Sequence, residues 1–337
     1  MLQPHMPTTL FHSIAPLGAD PRQWKICVVL PTRNEEATLA GVIGEIRAAF
    51  AQHGLRDPVI VISDDSHDRT RQIAGELGVR VVNGEGKGLG FAMQKALKAA
   101  LRLAPDVLVT MDADGQSDPR EIMSFLEPIA KGEADLVLGS RFLKPGLVQY
   151  RYRFINRAGT RILAWMMRKI TGLPLTDSHG GLRAWRTEVV RHLEIMGTHT
   201  YVQETIIDAW QKGFRIREIP SAWRKREKGK SRVVGSIPKY IMYTLPILLI
   251  RSGTHVRWLY RASALLVGAG IMYFIVILAE SGFSKARLYG RIPALIAVSM
   301  LAVIGIQLFT LGFITEILRM IKLRVDHIGE ESGTEES

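Results

Sequence analysis

The chain has 337 residues, 47% of them apolar and 23% charged, which excludes wholesale disorder and leaves room for two modules. Lys and Arg total 44 against 32 Asp and Glu, a formal charge of +12 that points to an anionic partner: phosphorylated ligand, membrane surface or nucleic acid. The single cysteine, Cys27, excludes a disulfide framework and a cysteine-based metal centre.

Residues 1–20 lack a basic start and a long apolar stretch, so no signal peptide is expected there. Short β-branched runs then begin: Ile26–Leu30, Val59–Ile62, Val79–Val82, Val107–Met111 and Leu136–Leu138. Helical stretches such as Ala37–Ala51 and Leu89–Leu103 lie between them. Strand–helix alternation predicts an open parallel sheet with helices on both faces, and ligands in such sheets sit beyond the carboxyl ends of the strands. Gly235–Ile250 is apolar but broken by Pro238, Lys239 and Pro246, which suits a helix in a membrane interface better than a span. Ala262–Ala279 and Ile292–Ile314 are uncharged runs of 18 and 23 residues that can cross a hydrocarbon core of roughly 30 Å, the first only just. A buried core helix is the plainer reading of one such run. Two of them around a short loop read as a transmembrane hairpin. The tail after Val325 has five acids and no Lys or Arg and reads as a solvated, disordered end.

The polar clusters fall at strand ends. Asp112-Ala-Asp114-Gly-Gln116 follows the fourth run. Two carboxylates one residue apart, with a neutral amide oxygen, suit Mg²⁺ or Mn²⁺ whose shell is completed by substrate phosphates. An acidic turn is the alternative. Pro31-Thr-Arg-Asn34-Glu35 ends the first run, and Ser63-Asp64-Asp65-Ser66-His67-Asp68-Arg69-Thr70 ends the second. Both could read a nucleotide's base and ribose, and Asn34 and Ser66 could equally cap helices. Gly86-Lys87-Gly88-Leu89-Gly90 resembles a phosphate cradle without the P-loop spacing. Between Arg141 and Lys169 stand eight Lys or Arg and no acid. Such a stretch suits a phosphorylated ligand or anionic lipid. RNA is disfavoured, because no aromatic stacking platform is evident.

These clusters continue in a fixed order. Gly139-Ser140-Arg141-Phe142, Arg153 with Asn156-Arg157, and Asp177-Ser-His-Gly-Gly181-Leu-Arg183 come next. Tyr201-Val-Gln203-Glu204 and Arg226-Glu-Lys-Gly229-Lys-Ser231-Arg232 follow. Over about residues 25–235 the series resembles the family 2 glycosyltransferases of the GT-A fold. It is most similar to the polyprenyl-phosphate sugar synthases, the dolichol-phosphate mannose synthase group and bacterial undecaprenyl-phosphate relatives. The sequence departs from that pattern at Ser63, where the family has an aspartate, at Asp65, Arg33 and Leu182. The Q-x-x-R-W signature of processive synthases is absent.

The resemblance implies a fold, an activity and residue roles. The fold is α/β: a GT-A, Rossmann-like, mostly parallel sheet with flanking helices, then an interfacial helix and a two-helix C-terminal transmembrane hairpin. The expected divisions are an extension at 1–23, a catalytic domain at 24–232, an interfacial segment at 233–258, the hairpin at 259–318 and an acidic tail at 319–337. The activity is transfer of a hexose, from GDP-mannose or UDP-glucose, to a polyprenyl monophosphate with inversion. Another UDP-sugar (galacturonate or an amino sugar) or a non-polyprenyl acceptor is the alternative.

Asp112, Asp114 and Gln116 are the implied metal ligands for Mg²⁺ or Mn²⁺. Pro31, Asn34, Glu35, Asp64, Lys87 and Asp112 would hold the nucleotide-sugar. Asp112, Asp114, Arg141, Asp177 and Arg226 would carry the chemistry. Arg153, Arg157, Arg226, Ser231 and Arg232 would bind the acceptor phosphate, and Gln203 and Glu204 would bind sugar or order a loop. The expected setting is multi-pass in the cytoplasmic (inner) membrane with the catalytic domain facing the cytoplasm. A separate flippase and a downstream glycosyltransferase are expected, and a homo-oligomer is compatible with the reading.

Overall fold

Runs of β-branched residues with both faces apolar make strands that must be covered on both sides, and the sheet is built that way. The structure is a computed structural model that describes residues 17–150, 154–197, 201–226, 248, 254–282, 284 and 289–334. It divides into two compact units, Met1–Arg251 and Ser252–Ser337.

In the first unit the strands are β1 (Ile26–Thr32), β2 (Val59–Asp64), β3 (Arg80–Asn83), β4 (Val107–Thr110), β5 (Leu136–Ser140), β6 (Arg183–Arg186) and β7 (Ile216–Pro220). The helices are α1 (Leu39–Gln52), α2 (Thr70–Glu76), α3 (Leu89–Leu101), α4 (Ile122–Ala130), α5 (Phe154–Thr171), α6 (Thr187–His192) and α7 (Val202–Gln211). The sheet order is β3-β2-β1-β4-β6-β5-β7. β1 pairs in parallel with β2 (Cys27 opposite Val59) and with β4 (Cys27 opposite Leu108).

β6 is the exception to the expected parallel alternation. It runs antiparallel between β4 and β5. Its four residues, Arg-Ala-Trp-Arg, do not read as an apolar run, so its place depends on partners rather than on local pattern.

Alternation along β1 sends Val28 and Leu30 to one core, with α1, α2 and α4. Cys27 and Val29 go to the other, with α3, α5, α6 and α7. The chain lays β2 and β3 on one side of β1, then returns through α3 to lay β4 on the other. That reversal is the switch point of an open sheet, where a crevice opens beyond the strand ends. The loops after β1 and β4 flank it.

In the second unit α8 (Thr254–Ser281) and α9 (Ile292–Thr334) pack against each other. Gly270 lies against Leu301, Gly305 against Val267 and Gly312 against Tyr260, so small residues let the helices approach closely and antiparallel. Val256–Ser281 and Ile292–Leu318 are long and apolar enough to cross a membrane. The tail departs from expectation: α9 stays helical through Thr334 rather than ending in a disordered segment. No proline interrupts it after Pro293, and charged residues are compatible with helix propagation. The interfacial segment Gly235–Ile250 lies outside the described residues except Leu248, which is buried in the core beside α5 and α7.

Candidate active site

β4 ends at Thr110, and the next carboxylate, Asp112, is half-buried. Burial, then the neighbouring charge of Asp114, pushes its carboxyl up to about 7. Burial raises Asp114 as well. The Gln116 N–H donates to Asp114 Oδ1 at 3.0 Å, which fixes the rotamer of Asp114. Asp112 is backed by Gly181, where a Cβ would overlap Asp112 Oδ2. At Gly180 a Cβ would overlap the carbonyl oxygen of Gly139, so both glycines are needed for close approach.

Two half-buried carboxylates side by side are harder to ionise together without a cation between them. This donor set of hard oxygens fits Mg²⁺ or Mn²⁺. Gln116 is partly engaged, since its Nε2 donates to the Arg224 carbonyl at 3.1 Å. Among the described residues no group of three or more His, Cys, Asp or Glu forms a metal cluster. Oxygens of a bound phosphate would therefore have to complete any shell.

Glu35 stands at the end of β1. Its carboxylate pairs with Arg226 Nη2 at 2.5 Å, and Arg226 Nη1 lies 3.8 Å from Asp114 Oδ2. The structure thus brings Arg226 to the carboxylates. Its motif partners Ser231 and Arg232 lie outside the described residues, as does Arg153.

The other nucleotide candidates spread along the β1 and β2 ends. Pro31 is opposite Ser63 in the ladder. Asn34 has φ +53 and straps the two loops together: its N–H donates to Ser66 Oγ at 2.7 Å and its Oδ1 accepts from His67 N–H at 2.8 Å. Neither Asn34 nor Ser66 caps a helix; those positions belong to Thr38 and Arg69. Asp64 is fully buried and bonded to the Thr32 hydroxyl (3.1 Å) and Arg71 Nε (3.2 Å). Asp65 accepts instead from the Gly86 N–H at 2.8 Å, tying the β2 end to the loop before α3. Lys87 pairs with Glu85 at 2.7 Å and lies over the Phe91 ring. The Ser63 hydroxyl is buried without a hydrogen-bond partner.

Arg141 and Asp177, named separately by their motifs, are partners. Arg141 Nε and Nη2 fork onto Asp177 at 2.6 and 2.9 Å, with both side chains buried. Burial alone would raise the Asp177 carboxyl, but the Arg141 charge and hydrogen bonds hold it below its ordinary value. Trp223 flanks the guanidinium at 5.1 Å. Glu218 accepts the Asp177 N–H at 2.7 Å and so fixes the loop.

Gln203 Nε2 lies 2.9 Å from His179 Nε2. Burial, and then the nearby Arg141 charge, lowers the His179 ring to about 4, so it is uncharged at neutral pH. Glu204 accepts the N–H groups of Met196 and Gly197, both at 2.8 Å. Arg183 donates to the carbonyls of Ser178, Gly180 and Val202 and shapes the turn behind Asp112. Its motif named it without a role. Trp223 and Glu218 had no sequence signal, because each acts through a neighbour distant in the chain.

Beyond Arg141 a cleft of about 630 Å³ opens between loop 141–148 and α5, lined by Arg141, Lys144, Arg157, Arg161 and Arg168. No acid appears among its described lining residues.

The model of the family described as "Glycosyl transferase family 2" matches residues 27–193. The chain is 30% identical over 230 residues to the polyprenol monophosphomannose synthase of Mycolicibacterium smegmatis, covering 64% of this chain and 83% of that protein. It is 26% identical over 316 residues to the dodecaprenyl-phosphate galacturonate synthase of Rhizobium johnstonii, covering 90% of each. It is also 30% identical over 206 residues to the low-salt glycan biosynthesis hexosyltransferase Agl6 of Haloferax volcanii, covering 60% of this chain and about half (48%) of that protein. Among solved structures, glucosyl-3-phosphoglycerate synthase of Mycobacterium tuberculosis, in complex with Mn²⁺, UDP and glucosyl-3-phosphoglycerate, superposes with a TM-score of 0.53. It is 24% identical and covers 68% of this chain and 81% of that one.

Proposed function

The chain belongs to glycosyl transferase family 2, and from that premise we propose that it transfers a hexose from a nucleoside-diphosphate sugar to the phosphate of a polyprenyl monophosphate. The observation that carries this reading is the pairing, in one unit, of a half-buried dicarboxylate at the switch point with a cation-lined cleft beside it. One side suits a donor diphosphate and the other an acceptor phosphate. Relatives named as polyprenyl-phosphate sugar synthases support the same reaction.

The acceptor phosphate oxygen attacks the anomeric carbon, the bond from that carbon to the donor phosphate oxygen breaks, and the nucleoside diphosphate leaves with inversion. A phosphate monoester has a second pKa near ~6, so it is already largely ionised and needs no strong base. A divalent cation held by Asp112 and Asp114 would supply positive charge for the departing diphosphate. Arg226 would lie between the two phosphates and Arg157 on the acceptor. The Arg141–Asp177 fork would hold the floor between them, and Gln203 with the uncharged His179 would face the sugar. Pro31, Asn34, Glu35, Asp64 and Lys87 would line the nucleotide side.

The two apolar helices suit attachment to a membrane. In this reading they cross the inner membrane and the catalytic unit faces the cytoplasm.

GDP-mannose and UDP-glucose are the first donors to try. A galacturonate donor is the second reading, supported by the Rhizobium johnstonii relative, whose alignment covers 90% of this chain. The test is to incubate the purified full chain with a panel of GDP- and UDP-sugars and polyprenyl phosphate, then identify the glycolipid by mass spectrometry. A hexosyl-phosphate lipid is expected. Donor hydrolysis without any lipid product across the panel would overturn the acceptor.

A further inference from the structure

α5 carries more cationic surface than one acceptor phosphate can use. Arg157, Arg161, Ala164 and Arg168 recur at i, i+4, i+7 and i+11, so they share one helical face within roughly 60°. That face is one wall of the cleft, and Lys144 stands on the loop opposite. Arg157 and Arg168 are about 16 Å apart along the helix axis at 1.5 Å per residue. A phosphate at the Arg157 end therefore leaves the Arg161–Arg168 end for a second anion.

The same helix shows what kind of anion. Roughly 80° further round lie Phe154, Ile162 and Trp165, which are 84%, 58% and 53% exposed. Large apolar side chains rarely stand in water as a contiguous stripe without a partner. A helix with cations on one face and Trp, Ile and Phe beside them suits the boundary between lipid headgroups and acyl chains. The chain also carries two helices able to cross a membrane, which would keep the first unit tethered near lipid.

We propose that the Arg161–Arg168 end of the cleft, with Lys144, binds the phosphate of an anionic bilayer phospholipid, while Ile162 and Trp165 meet its acyl region. This site is distinct from the acceptor's and does not depend on which sugar or polyprenol the enzyme uses. It would hold the catalytic unit against the leaflet from which the acceptor is drawn.

The experiment uses the full chain in an uncharged detergent. Retained lipid is counted by native mass spectrometry during titration with phosphatidylglycerol, and separately with phosphatidylcholine. Phosphatidylglycerol should be retained at least tenfold better. Arg161→Gln and Lys144→Gln, both at exposed positions, should each weaken it by about three- to tenfold, since each removes one charged contact. Trp165→Ala should weaken it too. Nucleotide affinity by calorimetry should stay unchanged in all three, which certifies the fold. Equal retention of the two lipids, or no response to Arg161→Gln, would overturn the proposal. If inorganic phosphate at the same concentration displaces the lipid, the site is a phosphate-ion site and the lipid assignment fails. If polyprenyl monophosphate displaces phosphatidylglycerol one for one, the cleft is the acceptor seat alone and the second site fails.

Discussion

The strand ends of β1 and β4 and the cleft along α5 handle charge in opposite ways. At the strand ends, Arg226 answers Glu35 and Asp114, and Arg141 next door answers Asp177. Along α5, Lys144, Arg157, Arg161 and Arg168 line a cleft with no acid among its described residues. The first region balances most of its charge internally and still leaves the half-buried Asp112 carboxyl raised and hard to ionise. The second relies on an anion from outside. A protein built to bring two phosphates together would need both: an acidic seat for a cation-bound diphosphate and, at the Arg157 end of the cleft, a cationic seat for a bare one.

The sharpest way to break this contrast is at the acidic seat. Asp114→Asn should lower transfer by roughly 10²–10³-fold, the scale for losing one preorganised electrostatic group, and should abolish Mn²⁺ binding measured by calorimetry. Wild-type turnover after exhaustive chelation would contradict the cation's role. Asp177→Asn tests internal compensation. It leaves buried Arg141 without its counter-charge, and stripping one partner from a buried pair costs about 3–5 kcal/mol, readable as a shift of the urea midpoint. A midpoint equal to wild type would show that Arg141 finds other partners.

His179 gives a pH signature. Its folded value is about 4 against 6.5 for a free ring, so the unfolded chain takes up the proton first as pH falls. Stability should therefore decline as pH drops from 6.5 toward 4, and His179→Gln should flatten that part of a melting-temperature profile. The Asp177 carboxyl is lowered as well, but from the carboxylate range: its stabilisation is present above the ordinary carboxylate value and fades only in stronger acid. The two windows separate the histidine from the ion pair.

The mildest effect is expected in the cleft. Arg157→Gln should change stability by less than about 0.5 kcal/mol, because an exposed cation among like charges contributes little to folding. It should still raise the acceptor KM by about tenfold, one charged hydrogen bond's worth, with donor affinity unchanged. A large loss of stability would mean that the cleft, too, is compensated from within.

Much of this was legible in the chain. The apolar runs marked β1, β2, β4 and β5 to within a residue or two, because a strand buried on both faces has to be continuously apolar. The carboxylates after β4 were legible for a related reason: polar residues directly after such a strand land at the crevice. The two long apolar helices were legible from length and lack of charge alone. β6 was not, since Arg183-Ala-Trp-Arg186 becomes a strand only when β4 and β5 flank it. The sequence favoured Asp64 over Asp65 for the nucleotide, but it did not show that Asp64 is fully buried. Asp64 is the last residue of β2 and reaches Arg71, while Asp65, just past the strand, reaches the Gly86 N–H.

Local pattern and residue chemistry therefore determined the fold class, the two long apolar helices and the residue types at the strand ends, because periodicity and charge are properties of neighbours in sequence. Tertiary structure decided the pairings. Arg226 with Glu35 is a contact across 191 residues, Arg141 with Asp177 across 36, and Glu218 with the Asp177 N–H across 41. No short-range rule reaches that far. Each pairing forms because enclosing a charge at the strand ends requires an opposite charge or a hydrogen-bond partner within reach, and only the folded sheet brings those groups together.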